Sequence, residues 1–207
     1  MKRPLGVILA GGQATRMGGG DKGLLDLDGK PILTHVVARL RPKVEAIIIN
    51  ANGDPARFDF LNLQVVPDSI AGFVGPLAGV LAGMDYAAEH GFDSVVTVAA
   101  DTPFFPADLV DRLLDAARAR DSNLILAATP DETRGISRHP TFGLWPVGLR
   151  EDLRKSLERG IRKVVVWTGS HNGAEAMFAT TPNDPFFNVN TPEDLIRARA
   201  MMAKGTA

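Results

Sequence analysis

The chain has 207 residues, of which 45% are hydrophobic, and a formal net charge of −1. This length predicts one domain, over residues 1–207, with a sizeable buried core. The balanced charge argues against a broad surface for a polyanion, so we expect no nucleic-acid partner. The sequence contains no cysteine, which excludes disulfides, thiolate metal sites and a thiol nucleophile.

Membrane segments are not predicted either. The apolar run at residues 5–10 is shorter than the roughly 7 to 15 residues of a signal-peptide core. No run approaches the roughly 18 apolar residues that span a bilayer. We therefore expect a soluble, cytoplasmic protein without a membrane partner.

Apolar runs and helical patterns alternate along the chain. Runs rich in β-branched residues predict strands at 5–10, 46–51, 63–66, 94–99, 124–128 and 163–167. Apolar residues at helical spacing predict helices at 32–40, 77–88 and 107–119, and a capped helix from Thr191 to about Met202. This order predicts an α/β, Rossmann-like, mostly parallel sheet with helices on both faces. The polar stretch 129–138 predicts a mobile loop able to fold over a substrate.

A glycine-rich segment follows the first strand. Residues 9–22 read LAGGQATRMGGGDK, with Arg16 and Lys22 among five glycines. Free backbone N–H groups in such a loop form an anion-binding concavity, and the two cations suit a triphosphate. A P-loop motif is absent, and the GxGxxG letters at 18–23 begin eight residues after the strand ends, which disfavours a dinucleotide fingerprint. A flexible glycine connector is the alternative interpretation.

Polar residues lie at the ends of predicted strands, where ligands bind in open α/β sheets. Asp101 ends an apolar run and suits a Mg²⁺ ligand, because Mg²⁺ needs one or two carboxylates beside phosphate oxygens. Asn50 and Asp68 are candidates for binding the base or ribose of a nucleoside. A turn or capping role is the alternative for Asp101 and for Asp68.

A glycine repeat and a pair of asparagines are further candidates for binding a ligand. Gly75, Gly79 and Gly83 recur every four residues, which predicts close packing of a helix against the sheet or against a ligand near Gly75. Asn188 and Asn190 would point the same way on a strand and could bind a second phosphate or a metal-linked water. A turn is the alternative for them. The four histidines have no metal-ligand spacing.

The motifs together resemble those of the nucleotidyltransferases that build activated sugars and cofactors. Within these, the chain is most similar to the molybdenum cofactor guanylyltransferases, which attach GMP to molybdopterin. The matching segments occur in the same order and cover nearly the whole chain: 9–22, 25–33, Asp68 with 75–79, 100–104 and 187–195.

The resemblance implies a nucleotidyltransferase that uses GTP and Mg²⁺ with a molybdopterin-type phosphate acceptor, and that makes transient contacts with cofactor-biosynthesis proteins and apo-molybdoenzymes. The implied catalytic residues are Arg16, Lys22 and Asp101, with Asp101 as metal ligand. The implied GTP-binding residues are Leu9, Ala10, Gly11, Gly12, Lys22, Asn50, Asp68 and Asp101. The acceptor is expected at Gly75, Gly79, Asn188 and Asn190. A CTP-dependent relative, a sugar-phosphate nucleotidyltransferase and a nucleotide-binding regulator are the alternatives.

Overall fold

The computed structural model describes residues 2–11, 21–70, 72, 75–180 and 183–203. Its strands are β1 (Leu5–Leu9), β2 (Asp26–Leu27), β3 (Lys30–Pro31), β4 (Ala46–Asn50), β5 (Gln64–Val66), β6 (Ser94–Ala99), β7 (Ile125–Asp131), β8 (Gly135–Pro146) and β9 (Ala174–Met177). Its α-helices are α1 (Ile32–Leu40), α2 (Pro76–Glu89), α3 (Leu109–Arg120), α4 (Arg150–Glu158), α5 (Val164–Ser170) and α6 (Pro192–Ala203).

Seven of these strands form one sheet in the order β5-β4-β1-β6-β8-β7-β9. Strand β1 lies in the middle of the parallel part, with Leu9 opposite Asn50 of β4 and opposite Ala99 of β6. Only β8 runs antiparallel to its neighbours β6 and β7 among these seven strands. The predicted mostly parallel α/β sheet is confirmed.

Both faces of the sheet are covered. Successive side chains of a strand point to opposite faces, and accordingly Ile8 lies in one buried cluster while Val7 lies in the other. Helices α1, α3 and α6 contribute to the cluster of Ile8, whereas α2, α4 and α5 contribute to the cluster of Val7. The prediction of helices on both faces is therefore confirmed as well.

The strand predicted at 163–167 is wrong, because this segment is helix α5. Val164, Trp167 and Thr168 are buried, while Val166 is 56% exposed. Spacings of three and four residues place the buried side chains on one face of a helix. Packing of that face on the sheet outweighs the strand preference of three consecutive valines.

The mobile loop predicted at 129–138 is also wrong. Thr129 pairs with Ser137 and Asp131 pairs with Gly135, so the segment is a hairpin between β7 and β8. Backbone N–H groups of Thr133 and Arg134 donate to the Asp131 carboxylate and close the turn. Because β8 runs antiparallel to both β6 and β7, β7 runs in the same direction as β6 and β1. The turn therefore lies at the same edge of the sheet as the carboxyl ends of β1 and β6.

None of the described helices combines the length and the hydropathy that a bilayer crossing needs. The extent of the domain at its ends stays a prediction, because residues 1 and 204–207 lie outside the described part of the chain.

Candidate functional site

A cavity of about 710 Å³ lies at the carboxyl edge of the parallel strands. Among its lining residues are nine of those predicted from the sequence: Leu9, Ala10, Gly11, Lys22, Asn50, Asp68, Gly75, Asp101 and Asn188. The register explains this convergence, since Leu9 aligns with Asn50 and with Ala99. The segments that follow β1, β4 and β6 therefore begin at neighbouring positions on one edge of the sheet.

The charged centre of this cavity is formed by Lys22 and Asp101. Lys22 Nζ lies 3.9 Å from Asp101 Oδ2, and the side chain of Asp101 is 22% exposed. Burial raises the pKa of Asp101, while the charge of Lys22 and a hydrogen bond from Thr102 act in the opposite direction. A buried carboxylate with a raised pKa is incompletely compensated, so a further cation beside it is favourable.

Asp101 is the residue suited to hold Mg²⁺. Within the described ranges, no three His, Cys, Asp or Glu side chains cluster as a metal site. One carboxylate on a cavity wall nevertheless fits this ion, because Mg²⁺ takes most of its ligands from substrate phosphates and water. The fit is one of ligand chemistry, and the role of Asp101 as metal ligand stays a prediction.

Asn50 and Asp68 contact each other on the opposite wall. Asn50 Nδ2 donates to Asp68 Oδ1 at 2.9 Å and to the Val66 carbonyl at 3.2 Å. Asn52, which the sequence reasoning did not single out, donates from Nδ2 to Asp68 Oδ2 at 2.8 Å and accepts from the Asp68 backbone N–H at 2.9 Å. The carboxylate of Asp68 is thus held in one orientation by two amides.

Gly79 is a packing residue behind this wall. A Cβ on Gly79 would lie 2.1 Å from Asn50 Oδ1 and 2.8 Å from Leu9 Cδ2. Gly79 is buried and is not among the lining residues of the cavity. The structure thus supports the packing interpretation of the glycine spacing and corrects the acceptor contact expected at Gly79. Gly75, at φ 126° before α2, does line the cavity.

Asn188 and Asn190 do not lie on a strand, which corrects that premise of their prediction. The Thr102 hydroxyl contacts the side-chain amide of Asn188, and Lys22 Nζ donates to Asn190 Oδ1 at 2.5 Å. Asn190 therefore contacts the charged centre directly, and Asn188 contacts the residue that follows Asp101. Their contact with an acceptor stays a prediction.

Arg57 is a second residue that sequence reasoning missed. Its Nε donates to the carboxylate of Asp21, which lines the cavity directly before Lys22. Its Nη2 donates to the Asn52 carbonyl at 2.6 Å. Arg57 thereby joins the end of the glycine-rich segment to the segment after β4. Since Arg57 belongs to no motif, the sequence carries no signal for this contact.

Two predicted site residues, Gly12 and Arg16, lie outside the described residues. Their roles in GTP binding and catalysis stay predictions.

Comparison with known sequences points to one family. The model of the MobA-like NTP transferase domain matches residues 6–173. A molybdenum cofactor guanylyltransferase of Bradyrhizobium sp. strain ORS 278 is 50% identical over 201 residues, which are 96% of this chain and 92% of that protein. One from Nitrobacter hamburgensis is 46% identical, with 96% of this chain and 94% of that protein covered.

Solved structures share the fold. The crystal structure of molybdopterin-guanine dinucleotide biosynthesis protein A from Archaeoglobus fulgidus has a TM-score of 0.72 at 23% identity and covers 97% of this chain and 99% of that chain. The CMP:2-keto-3-deoxy-manno-octonic acid synthetase complexed with CTP has a TM-score of 0.75 at 15% identity, covering 99% and 100%. At these identities the likeness concerns the fold alone.

Proposed function

Because this chain belongs to the molybdenum cofactor guanylyltransferases, a family of MobA-like NTP transferases, we propose that it transfers GMP from GTP to the phosphate of a molybdopterin-type acceptor. An acceptor phosphate oxygen forms a bond to the α-phosphorus of GTP. The bond from that phosphorus to the α,β-bridging oxygen breaks, and its electron pair leaves with pyrophosphate. The product is a guanine dinucleotide form of the cofactor.

One observation carries this proposal beyond family membership. The cavity brings an ammonium and a carboxylate within 3.9 Å of each other where β1 and β6 end. A nucleotide whose phosphates lie at this pair would contact the Lys22 ammonium directly. It would also contact a metal ion if Asp101 holds one. The volume of about 710 Å³ falls within the range of small-molecule sites, which is roughly 300 to 1,000 Å³.

Catalysis on this proposal relies on positioning and charge neutralisation. A phosphate monoester is already ionised near neutral pH, with a second pKa of about 6, so the nucleophile needs no general base. Lys22 neutralises negative charge on the phosphates, and Arg16 is proposed to add a bidentate contact. Asp101 would hold Mg²⁺, which when bound supplies further charge neutralisation at the phosphates.

The nucleoside is assigned to the wall of Asn50 and Asp68. An ionised carboxylate offers about four acceptor sites, of which Asn50 and Asn52 use one each. Asp68 thus retains acceptor capacity for N–H groups of guanine or for ribose hydroxyls. The backbone of Leu9, Ala10 and Gly11 supplies further polar groups at the same cavity.

A thermal-shift panel of GTP, CTP, UTP, ATP and NADH with Mg²⁺ tests the nucleotide. We expect stabilisation by GTP alone, of about 2.7 kcal/mol at a concentration of about 100 times Kd. A preference for CTP would redirect the proposal to cytidylyl transfer, and stabilisation by NADH would contradict it.

The transfer itself is tested with α-labelled GTP and molybdopterin. We expect label in the cofactor and one pyrophosphate released for each GMP transferred. GTP binding without label in the acceptor would leave a nucleotide-binding protein and refute guanylyl transfer.

A further inference from the structure

A short segment near the carboxyl end of the chain contacts both charged residues of the cavity. Asn190 Oδ1 accepts from Lys22 Nζ at 2.5 Å, and the Lys22 side chain is 25% exposed. A lysine has a flexible four-carbon stem, so this contact selects one position for its ammonium. That position is 3.9 Å from Asp101 Oδ2.

The same segment reaches the other carboxylate oxygen through Thr102. Thr102 is fully buried, and its hydroxyl lies 3.3 Å from Asp101 Oδ1 and contacts the Asn188 amide. A hydroxyl has a single proton and two lone pairs, and the oxygen and nitrogen of an amide are assigned from the network. With the Asn188 NH₂ donating to Thr102, the Thr102 proton is free to be donated to Asp101.

The backbone of this segment is itself fixed. The Val189 N–H donates to the Asp101 carbonyl at 2.8 Å. The N–H groups of Asn190 and Thr191 donate to Asp194 Oδ2 at 3.1 and 3.0 Å, and the Asp194 N–H donates to Thr191 Oγ1 at 3.1 Å. This reciprocal capping box at the start of α6 holds the two asparagines in place.

We propose that residues 187–190, the asparagine brace, position the charged centre of the cavity. Asn190 acts by placing the Lys22 ammonium, and Asn188 acts through Thr102 by orienting the Asp101 carboxylate. The inference rests on the proposed function of this cavity. On this proposal both asparagines support the binding of GTP and its metal ion. This role is separate from the acceptor contact expected from the sequence.

The proposed effect of Asn190 on Lys22 is tested by a double-mutant cycle on GTP affinity, measured by calorimetry with Mg²⁺. We expect Asn190→Ala to weaken GTP binding on the order of tenfold, the size of one hydrogen bond to a charged group. In a Lys22→Ala background the same substitution should change affinity less than about twofold, because the two residues act as one unit. An equal loss of GTP affinity on Asn190→Ala in both backgrounds would refute the proposed effect of Asn190 on Lys22.

The matched control is Asn123→Ala. Asn123 is exposed and precedes β7 at the opposite edge of the sheet. Its substitution should leave GTP affinity unchanged in both backgrounds. Thermal unfolding of each variant without ligand identifies any general loss of folding.

The arm through Thr102 is tested by the Mg²⁺ concentration that gives half-maximal GTP binding. Thr102→Val keeps the shape and removes the hydroxyl, so we expect this concentration to rise on the order of tenfold. Thr102→Ser should restore it, and Asn188→Ala should raise it without altering a buried residue. Equal behaviour of the Val and Ser variants, or no effect of Asn188→Ala, would refute this arm.

A measurement without ligand separates the brace from the proposed function. The ¹⁵Nζ NMR signal of Lys22 should show a slowly exchanging ammonium in the wild type and fast exchange in Asn190→Ala. If Asn190→Ala loses slow exchange but the wild type transfers no GMP, guanylyl transfer is refuted and the brace is not. An unchanged signal in Asn190→Ala, in a protein that does transfer GMP, would refute the brace alone.

Discussion

Asp101 lies in a setting that disfavours the charge of its carboxylate. Its surroundings raise the pKa of Asp101 mainly by burial, and Lys22 offsets this only in part. A side chain of this kind changes function far more than stability when its charge is removed, because the cavity wall keeps its shape.

Asp101→Asn is therefore expected to keep the fold and to lower kcat about a hundredfold or more, the usual cost of removing one electrostatic stabiliser. Steady-state pyrophosphate release measures the effect. Asp115→Asn is the control, since the Asp115 side chain is 71% exposed on α3. A rate near that of the wild type in Asp101→Asn would remove Asp101 from the mechanism.

Gly79 lies where helix α2 comes closest to Asn50. Gly79→Ala would place a Cβ 2.1 Å from Asn50 Oδ1, so we expect Asn50 to be displaced. GTP affinity should fall about tenfold, and the free energy of unfolding should drop by about 1 to 3 kcal/mol through overpacking. Calorimetry and urea unfolding measure the two effects.

Two other glycines serve as controls for this substitution. A Cβ on Gly83 would lie 2.7 Å from Val7 Cγ2, so Gly83→Ala should cost similar stability with GTP affinity unchanged. A Cβ on Gly169 in α5 meets nothing within 4 Å, so Gly169→Ala should be stabilising. Unchanged GTP affinity in Gly79→Ala would disprove the link between this glycine and Asn50.

At the scale of elements, α5 shows how packing overrides local preference. Its exposed Val166 gains little from burial and lowers helix propensity relative to alanine. Val166→Ala is thus expected to raise the free energy of unfolding by about 0.5 kcal/mol. Val164→Ala on the buried face should lower it by about 2 kcal/mol. Urea unfolding of both variants measures these changes. Equal losses in the free energy of unfolding would indicate a strand buried on both faces instead of a helix.

The sequence predicted the parallel strands β1, β4 and β6 because their apolar runs are continuous. It also predicted Asp101 and Asn50, since residues at the carboxyl ends of such strands meet at one edge. The strand predicted at 124–128 overlaps β7, but its hairpin with β8 was missed because residues 129–138 are mostly polar and contain no continuous apolar run. Asn52 and Arg57 were missed because each acts through a long-range contact that carries no local pattern.

Across the whole molecule, His139 links the hairpin to the segment that leads into the brace. Its ring stacks on Phe186 at 4.2 Å between centroids, and its Nε2 lies 3.0 Å from Thr129 Oγ1. Burial lowers the pKa of His139 below its usual 6.5, although the charge of Asp184 acts in the opposite direction. The folded protein therefore binds this proton less readily than the unfolded chain does.

Stability should accordingly fall as the pH drops from about 6.5 toward the lower pKa of folded His139, because the unfolded chain binds more protons in that window. Urea unfolding between about pH 7.5 and 5.5 measures this slope. We expect His139→Gln to flatten it, while His90→Gln at an exposed position keeps it. The same slope in wild type and His139→Gln would contradict the assignment.

The contact between Lys22 and Asn190 joins residues 168 positions apart. Contacts of such separation form slowly, because a long loop must close first. A nascent chain that has left the ribosome only as far as β9 already has every strand of the sheet and lacks both asparagines. Full affinity for GTP would then arise only once residues 188 and 190 have been synthesised and have folded against the sheet.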